Sequence, residues 1–299
     1  MNIRDLNYFY YLSLYHSFTE VAQHFQVSQP TITYAVKRLE EEFGCQLVVK
    51  TPAKRVAHLT RQGELLANHA QEVLLELDKA KKAIEHANQG KTRLGFPPMI
   101  SMDIFSKIVQ QVPDLDLYNA VDFVREGSHD LLEELLDGKV DMSLIGSLSP
   151  LWHEKLITKE LFQKEFYLVM SEQHPLATFK ELSFSQVLKE KFIILDEHHI
   201  HLTAFNQLNA KYQGRAQIAL MLEDFLMIGQ MVRENIGVTL ITDIALMKSI
   251  DGLVKVPLIP EEKLFFHVSY AYLKTAVPSE LTKKFINALE ELKDSTDLL

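Results

Sequence analysis

Residues 18–44, FTEVAQHFQVSQPTITYAVKRLEEEFG, decide the fold of the N-terminal part of the chain. Apolar residues at helical spacing in 21–25 predict one helix, and a short connection at 26–27 leads to a second helix. Ser28 is a favourable N-cap for the second helix, and Pro30 suits its first turn, where the missing N–H is not needed. The stretch therefore predicts a helix-turn-helix.

The predicted second helix has two chemically different faces. Four apolar residues from Ile32 to Phe43 fall on one stripe, at spacings of four, three and four, and Gly44 favours the left-handed backbone that ends a helix. The opposite face carries an amide, which can pair with a base edge, and hydroxyls and cations, which reach phosphates or bases. The predicted DNA-binding residues of this helix are Ser28, Gln29, Pro30, Thr31, Thr33, Tyr34, Lys37 and Arg38.

A basic stretch, KTPAKR, follows the helix at residues 50–55. A hairpin there would form a wing, and Lys50, Lys54 and Arg55 would lie near the DNA backbone, since cations neutralise phosphates. A solvated helix face is the alternative interpretation of the polar residues before it. The preceding helix, the turn and the basic wing together favour DNA contact.

Composition and charge fit a protein with a basic DNA-binding part. The chain has 299 residues, 47% of them apolar, so it has room for a small N-terminal domain and a larger C-terminal one. The net charge of −9 is unevenly distributed, because residues 26–61 hold six basic and three acidic side chains, a local excess of three positive charges. No stretch reaches the length of a membrane span, residues 1–6 lack an apolar signal region, and Cys45 is the single cysteine. A cytoplasmic location is expected.

At these residues the chain resembles the LysR-type transcriptional regulators. The resemblance is dense between Leu6 and Gly63, with departures at Val21, which replaces a usual alanine, and at Val48 and Lys50, which replace a usual Phe and Arg. Lys50 would lose the bidentate phosphate geometry of an arginine. The matching residues are Leu6, Phe9, Ser17-Phe18-Thr19, Ala22, Ser28-Gln29-Pro30, Thr33, Leu39-Glu40, Gly44, Leu47, Leu59-Thr60 and Gly63.

This resemblance implies a winged helix-turn-helix that binds double-stranded DNA, a long linker helix, and a two-lobed α/β effector domain like a periplasmic binding protein. It also implies a homodimer or homotetramer, a small-molecule effector and contact with RNA polymerase. No cofactor and no enzyme activity are expected, since the chain has no G-x-S-x-G, H-E-x-x-H, G-x-G-x-x-G or P-loop pattern.

Two other functions stay open at this point. One is a solute-binding protein with an N-terminal assembly module, and the other is a DNA-binding protein without an effector. The polar face of the second helix and the basic wing speak against the first, because a solute receptor has no use for them.

Residues 60–90 predict a long helix between the two domains. From Thr60 to Gln89 there is no proline and only one glycine, Gly63, and Gln89-Gly90-Lys91 closes the segment as a hinge. Apolar residues alternate at spacings of four and three over about three heptads, which is typical of a helix that packs against a second copy. A core helix of its own domain is the alternative. The seam consists of Leu66, Ala70, Val73, Leu77, Ala80, Ile84 and Ala87. The predicted domains are 1–59, 60–90 and 91–299.

From Thr92 onward, short β-like runs alternate with amphipathic helices, which favours an α/β fold with largely parallel sheets. By resemblance, this effector domain would form lobe I from 91–161 and 268–299, and lobe II from 162–267. The candidate strands are 92–96, 117–125, 140–145, 165–170, 192–195, 216–220, 237–241 and 263–273. The candidate helices are 100–112, 128–138, 182–190, 200–212, 224–234 and 279–293.

Two-lobed α/β domains bind small molecules in the cleft at the strand ends. The first strand runs into 96–101 just before a helix, whose free N–H groups could hold an anion. Ser128 lies at another strand-to-helix junction, and hydroxyls at comparable places hold carboxylate effectors in the family. Ser101 and Ser128 could equally cap their helices. The predicted effector-binding residues are Pro98, Ile100, Ser101, Ser128, His198 and His199.

Residues 196–201, DEHHIH, bring three histidines together. A metal site is the least favoured interpretation, since sequence-adjacent histidines rarely converge on one ion and no cysteine is nearby. Contact with the effector and a solvated loop are the alternatives. A histidine in contact with the effector would make binding weaken above about pH 6.5, as it loses its proton. Residues 1–6 resemble the start of malolactic fermentation regulators, which implies malate, a carboxylate, as the effector.

Overall fold

The chain folds into two compact units, Met1–Ile84 and Glu85–Leu299, each with its own hydrophobic core. The computed structural model describes residues 2–51, 56–88, 90–113, 118–242 and 251–294. Among these described residues, no helix is both long enough and apolar enough to cross a membrane.

The N-terminal unit is a winged helix-turn-helix followed by a long helix, as predicted. Its first helix is capped by Asn2, whose side chain accepts a hydrogen bond from the N–H of Arg4 at 2.9 Å. The second helix of the motif ends at Gly44, whose φ of 63° is left-handed. The elements are α1 (Ile3–Tyr15), α2 (Phe18–His24), α3 (Gln29–Phe43), β1 (Val48–Thr51), β2 (Val56–Leu59) and α4 (Arg61–Asn88).

The apolar stripe of α3 packs into the core of the N-terminal unit. Ile32 and Leu39 are almost completely buried in a cluster that also contains Phe9 of α1. Phe43, the last residue of the predicted stripe, is instead 48% exposed. Phe43 is the last residue of α3, directly before the C-cap Gly44, and its side chain does not pack into this core.

Contacts from two helices hold the wing in place. One carboxylate oxygen of Glu40 accepts hydrogen bonds from the N–H groups of Leu47 and Val48, at 2.8 and 3.2 Å. Gly63, in the first turn of α4, packs against the backbone of Leu47, since a Cβ built on this glycine would lie 2.2 Å from the carbonyl oxygen of Leu47. β1 and β2 pair antiparallel, with Val48 opposite Leu59. The wing is therefore fixed to both α3 and α4.

The C-terminal unit alternates strands and helices. Its strand Leu156–Ser171 is much longer than its neighbours. The elements are β3 (Thr92–Gly95), α5 (Pro98–Gln111), β4 (Val121–Val124), α6 (Ser128–Leu136), β5 (Met142–Ser147), β6 (Leu156–Ser171), β7 (Lys191–Leu195), α7 (Ile200–Lys211), β8 (Gln217–Leu222), α8 (Phe225–Arg233), β9 (Thr239–Thr242), β10 (Leu253–Pro257), β11 (Phe265–Leu273) and α9 (Glu280–Asp294).

The strands of this unit form two lobes that share β6. In the first lobe the strand order is β4-β3-β5-β11-β6, with β3 parallel to β4 and β5, and β11 antiparallel to β5 and β6. In the second lobe, the later part of β6 pairs antiparallel with β9 and β10, and β7 pairs parallel with β8. This topology confirms the predicted two-lobed α/β fold of the periplasmic-binding-protein type.

Three expectations for this unit were wrong. The sheets are mixed rather than largely parallel, because β6 and β11 run antiparallel to their neighbours. The candidate helix 182–190 is only a 3₁₀ turn, Phe184–Val187, since Leu182 is held extended by a β-bridge to Leu258. The candidate strand 165–170 is the end of the longer β6, whose first part carries many charged side chains on a half-exposed face.

Candidate DNA interface and effector cleft

The polar face of α3 is open to solvent. The exposed fractions are 61% for Tyr34 and 67% for the side chain of Lys37, which lies 3.7 Å from Glu41. Ser28 occupies the N-cap position, but its hydroxyl lies 2.9 Å from the hydroxyl of Thr31 and makes no capping hydrogen bond to the backbone. Of the predicted contact residues, Ser28, Gln29, Pro30, Tyr34 and Lys37 are exposed, and Thr31 and Thr33 are half-buried.

Arg38 has a structural partner that sequence reasoning missed. Its Nε and Nη2 donate to the two carboxylate oxygens of Asp5, at 2.8 and 2.6 Å, which ties α3 to α1. Asp5 is 4% exposed, whereas 55% of the Arg38 side chain is accessible. The hydrogen bond to Asp5 raises the pKa of Arg38. An acidic residue directly before Leu6, on the apolar stripe of α1, is the signal that could have revealed this pair.

The basic wing is described only in part. Lys50 lies in β1 opposite Ala57 of β2, so the backbone there has the hairpin geometry that the sequence predicted. Lys54 and Arg55 lie outside the described residues.

The two lobes of the C-terminal unit touch at the start of α6. Gly127 of the first lobe has no room for a side chain, because a Cβ would lie 1.9 Å from the carbonyl oxygen of His198 in the second lobe. The Oδ2 atom of Asp130 on α6 also lies 2.8 Å from Nδ1 of His198. The hydrogen bond to Asp130 raises the pKa of His198. We use the term interlobe cleft for this junction of the two lobes at Gly127, Asp130 and His198, together with the strands beneath it.

The floor of the interlobe cleft joins α6 to β5 and β11. Ser128 is buried, and its hydroxyl accepts a hydrogen bond from the N–H of Gly146 at 2.8 Å, so it does not cap α6. Gly146 lies directly against the ring of Phe266, since a Cβ on this glycine would be 2.1 Å from the ring Cζ. The predicted residues Ser128 and His198 are thus brought to the same cleft.

His201, the third histidine of this cluster, was not among the predicted effector-binding residues. It is 3% exposed, and its ring packs against the rings of Phe166 and Phe266, with centroid distances of 5.3 and 5.5 Å. Neither ring nitrogen has a hydrogen-bond partner within the described part of the chain. Burial lowers the pKa of His201 to about 3, so the imidazole is neutral. Its position four residues before Phe205, on the apolar face of α7, is the signal that could have found it.

The other predicted effector residues have partners elsewhere. Nδ1 of His199 lies 2.8 Å from Oδ1 of Asp196, and Ile100 is completely buried in the core. The hydroxyl of Ser101 donates to the carbonyl of Pro98 at 2.8 Å, within its own helix. A cavity of about 420 Å³ lies on that side of the first lobe and is lined by Phe96, Ser101, Phe105, Ser106, Phe123 and Arg125.

The three histidines of 198–201 do not converge on one point. His198 pairs with an acid of the first lobe, His199 pairs with an acid of its own loop, and His201 packs against aromatic rings. Over the described ranges, no group of three or more His, Cys, Asp or Glu residues is placed to hold a metal ion.

Both units match known sequence families. Residues 3–64 match the bacterial regulatory helix-turn-helix protein of the lysR family, and residues 85–293 match the LysR substrate binding domain. The chain belongs to the LysR family. LysR proteins are DNA-binding transcriptional regulators with an effector-binding domain, not enzymes, and they form oligomers.

Curated relatives and solved structures agree with this assignment. The chain is 48% identical to the malolactic fermentation system transcriptional activator of Lactococcus lactis, over 98% of this chain and 99% of that protein. It is 30% identical to the hydrogen peroxide-inducible genes activator of Haemophilus influenzae, over 83% and 82%. Full-length BenM has a similar fold, with a TM-score of 0.53 and 18% identity over 98% of this chain and 97% of that one. The effector binding domain of QuiR in complex with shikimate gives a TM-score of 0.57 and 17% identity, over 69% and 97%.

Proposed function

We propose that this LysR-family regulator binds a small carboxylate, with malate as the first candidate, in the interlobe cleft. The bound acid would change how the N-terminal unit binds DNA. The observation that carries the proposal is the contact of Gly127 with His198, because a ligand between the lobes must change the separation of these residues. The 48% identity to an activator of a malolactic fermentation system supports malate.

The chemistry of the cleft suits an anion. The start of α6 points free N–H groups and the positive end of a helix dipole toward Gly127 and Ser128. His198 lies at the same place, and its raised pKa keeps it protonated over more of the neutral pH range. A bound carboxylate would compete with Asp130 for His198. Ligand binding would therefore replace one contact between the lobes with another.

For the N-terminal unit, we propose that α3 lies in a DNA major groove. The exposed Gln29 would pair with a base edge, Lys37 would reach phosphate, and the wing residues Lys54 and Arg55 would flank the backbone. Arg38 is also within the exposed face, but its bond to Asp5 means that its main contribution is to orient α3 on α1. Paired N-terminal units would read half-sites about one helical turn apart.

We also propose that α4 joins two copies of the chain. Two residues of its predicted seam are exposed in the single chain, Val73 at 43% and Ile84 at 62%. A groove of about 510 Å³ between α1 and α4, which contains Leu74 and Leu75, extends this apolar surface. The segment 60–90 would thus be the dimerisation helix of a homodimer. Two such dimers could assemble into a homotetramer. Copies bound at a promoter would contact RNA polymerase.

Thermal unfolding of the full-length protein with a panel of small acids tests the effector assignment. A ligand at about a hundred times its dissociation constant adds about 2.7 kcal/mol to the free energy of unfolding, which raises the Tm by several degrees. We expect such a shift with malate and a smaller one with formate or acetate. A shift with none of the carboxylates, or only with neutral aromatic compounds, would contradict the proposal.

A further inference from the structure

We propose that His201 and Thr242 form a hydroxyl-binding subsite at the floor of the interlobe cleft, which selects a small hydroxy acid over the corresponding unsubstituted acid. This inference rests on the proposed function, because it concerns the same cleft. It adds a chemical requirement for the ligand, a hydroxyl group, and names the two residues that bind this hydroxyl.

Both side chains are buried polar groups without partners. Thr242 is completely buried, and its Oγ1 has no hydrogen-bond partner within the described ranges, as is true of both ring nitrogens of His201. Buried polar side chains in folded proteins are nearly always hydrogen-bonded, so two exceptions in one region need an explanation. A ligand group that donates and accepts hydrogen bonds would supply the missing partner.

The two side chains meet at Phe166. Thr242 stands directly opposite Phe166 in the antiparallel pairing of β9 with β6, so both side chains lie on the same face of the sheet. The ring of Phe166 in turn contacts the ring of His201, at a centroid distance of 5.3 Å. The two unpartnered groups therefore belong to one corner of the second lobe.

This corner borders the floor of the interlobe cleft. The His201 ring also contacts Phe266, at a centroid distance of 5.5 Å, and Phe266 lies against Gly146. The N–H of Gly146 is bound to the hydroxyl of Ser128 at the start of α6. Phe266 thus contacts both Gly146 at the wall of the first lobe and the His201 ring of the second lobe, so the two regions are neighbours.

The chemistry of the corner fits a hydroxyl better than a carboxylate. A neutral imidazole offers one N–H donor and one acceptor nitrogen, and a threonine hydroxyl can also do both. A ligand hydroxyl can donate to one of these groups and accept from another, whereas a carboxylate only accepts. A carboxylate would also lose its hydration against two phenylalanine rings. The acid groups therefore stay at the α6 wall, near His198, and the hydroxyl points to the floor.

Titration calorimetry of the full-length protein with malate and succinate tests the subsite, because these diacids differ only by the hydroxyl. We expect malate to bind about tenfold more tightly or better, as one hydrogen bond contributes about that much. His201→Phe replaces the imidazole by an aromatic ring without polar atoms and should bring the two affinities to within about twofold. Thr242→Val should lower the ratio in the same direction. Thr239→Val is the matched control, since residue 239 is buried in the same strand on the opposite face.

Each outcome has a definite meaning. Equal affinities in the unaltered protein, or a malate preference that survives both His201→Phe and Thr242→Val, would overturn the subsite and leave carboxylate binding in place. An equal loss of preference in Thr239→Val would also overturn it, because the effect would then come from the strand as a whole. Absence of binding by either diacid would overturn the carboxylate assignment and the subsite together.

Discussion

Helix α3 and the interlobe cleft hold their polar side chains in opposite surroundings. On α3, Gln29 and Lys37 stand in solvent, whereas His201 and Thr242 are buried without hydrogen-bond partners in the described part of the chain. DNA carries dense charge that attracts exposed cations through water, so its binding surface can stay hydrated until contact. A small ligand offers few groups, and unpaired buried atoms discriminate strongly among them. The exposed polar face of α3 therefore costs the folded protein little stability. The buried, unpaired groups of the cleft lower the stability of the free protein and increase its selectivity for a ligand that pairs with them.

The largest expected effect concerns the buried face of α3. Leu39→Ala should lower the free energy of unfolding of the N-terminal unit by about 2–5 kcal/mol, because it leaves a cavity in a closed core. Phe43→Ala is the control on the same stripe, since Phe43 is already 48% exposed, and it should cost much less. Urea denaturation followed by circular dichroism measures both. Equal losses of unfolding free energy in the two variants would mean that Phe43 contributes to the core as much as Leu39 does.

The next effect concerns the contact between the lobes. Gly127→Ala should push His198 away and weaken malate binding by about 10- to 100-fold, the equivalent of an overpacking cost of about 1–3 kcal/mol. Titration calorimetry measures the affinity. Gly138→Ala is the control, because its φ of 69° disfavours a side chain but only Leu273, at 3.9 Å, is near the new atom. It should lower stability and leave the affinity unchanged. Full affinity in Gly127→Ala would break the link between lobe contact and binding.

A similar magnitude is expected on DNA, at the exposed surface. Gln29→Ala should weaken binding to a selected target duplex by about 1–3 kcal/mol and leave binding to random duplex nearly unchanged, because the amide reads a base edge. Fluorescence anisotropy with both duplexes at one salt concentration measures this difference. Lys37→Ala provides the contrast, since loss of a phosphate contact should weaken both duplexes alike. Equal losses for Gln29→Ala on the two duplexes would remove its base-reading role.

A smaller effect tests whether the unpaired buried groups of the cleft lower the stability of the protein. His201→Phe should raise the free energy of unfolding of the C-terminal unit by about 1 kcal/mol, because it removes two buried atoms that lack partners. Lys37→Met on the exposed face of α3 should change stability by less than about 0.5 kcal/mol. Both changes are measured by thermal unfolding without ligand. A loss of stability in His201→Phe would show that the imidazole is bonded in the free protein.

The smallest effect is the pH dependence of the lobe contact. Asp130 raises the pKa of His198 above its ordinary value of 6.5, so the pair stabilises the closed lobes fully below that value. The stabilisation is lost as the pH rises through the raised pKa of the folded protein. Asp196 and Glu197 also face His198 and act in the same direction. Asp130→Asn should lower the pKa of His198 in an NMR titration, and an unchanged pKa would contradict the pairing.

Local spacing was sufficient to predict the N-terminal unit. The predicted helix-turn-helix and the long helix appear as α2, α3 and α4, because capping, apolar stripes and Gly44 act within a few residues of one another. The bond between Arg38 and Asp5 was not predictable in this way, since its partners are 33 positions apart. Arg38 looked like a DNA contact because its helix position is exposed, and only the packing of α1 on α3 reveals its second role.

The C-terminal unit was predictable in class but not in detail. Alternating strands and helices indicated an α/β fold, whereas the sharing of β6 by two lobes depends on pairings between distant segments. The histidines show the same limit. Their cluster drew attention to 198 and 199, but tertiary contacts alone place His198 against Asp130 and bury His201 beside Phe166.

Hydrogen–deuterium exchange of the full-length protein with and without malate tests whether the effector binds between the lobes. We expect malate to slow backbone exchange at 127–130, 197–202 and 240–242, the segments that border the interlobe cleft. Succinate at the same saturation should protect the first two segments and leave 240–242 closer to the free protein. Protection confined to other parts of the chain, such as the cavity beside Phe105, would contradict the placement of the effector between the lobes.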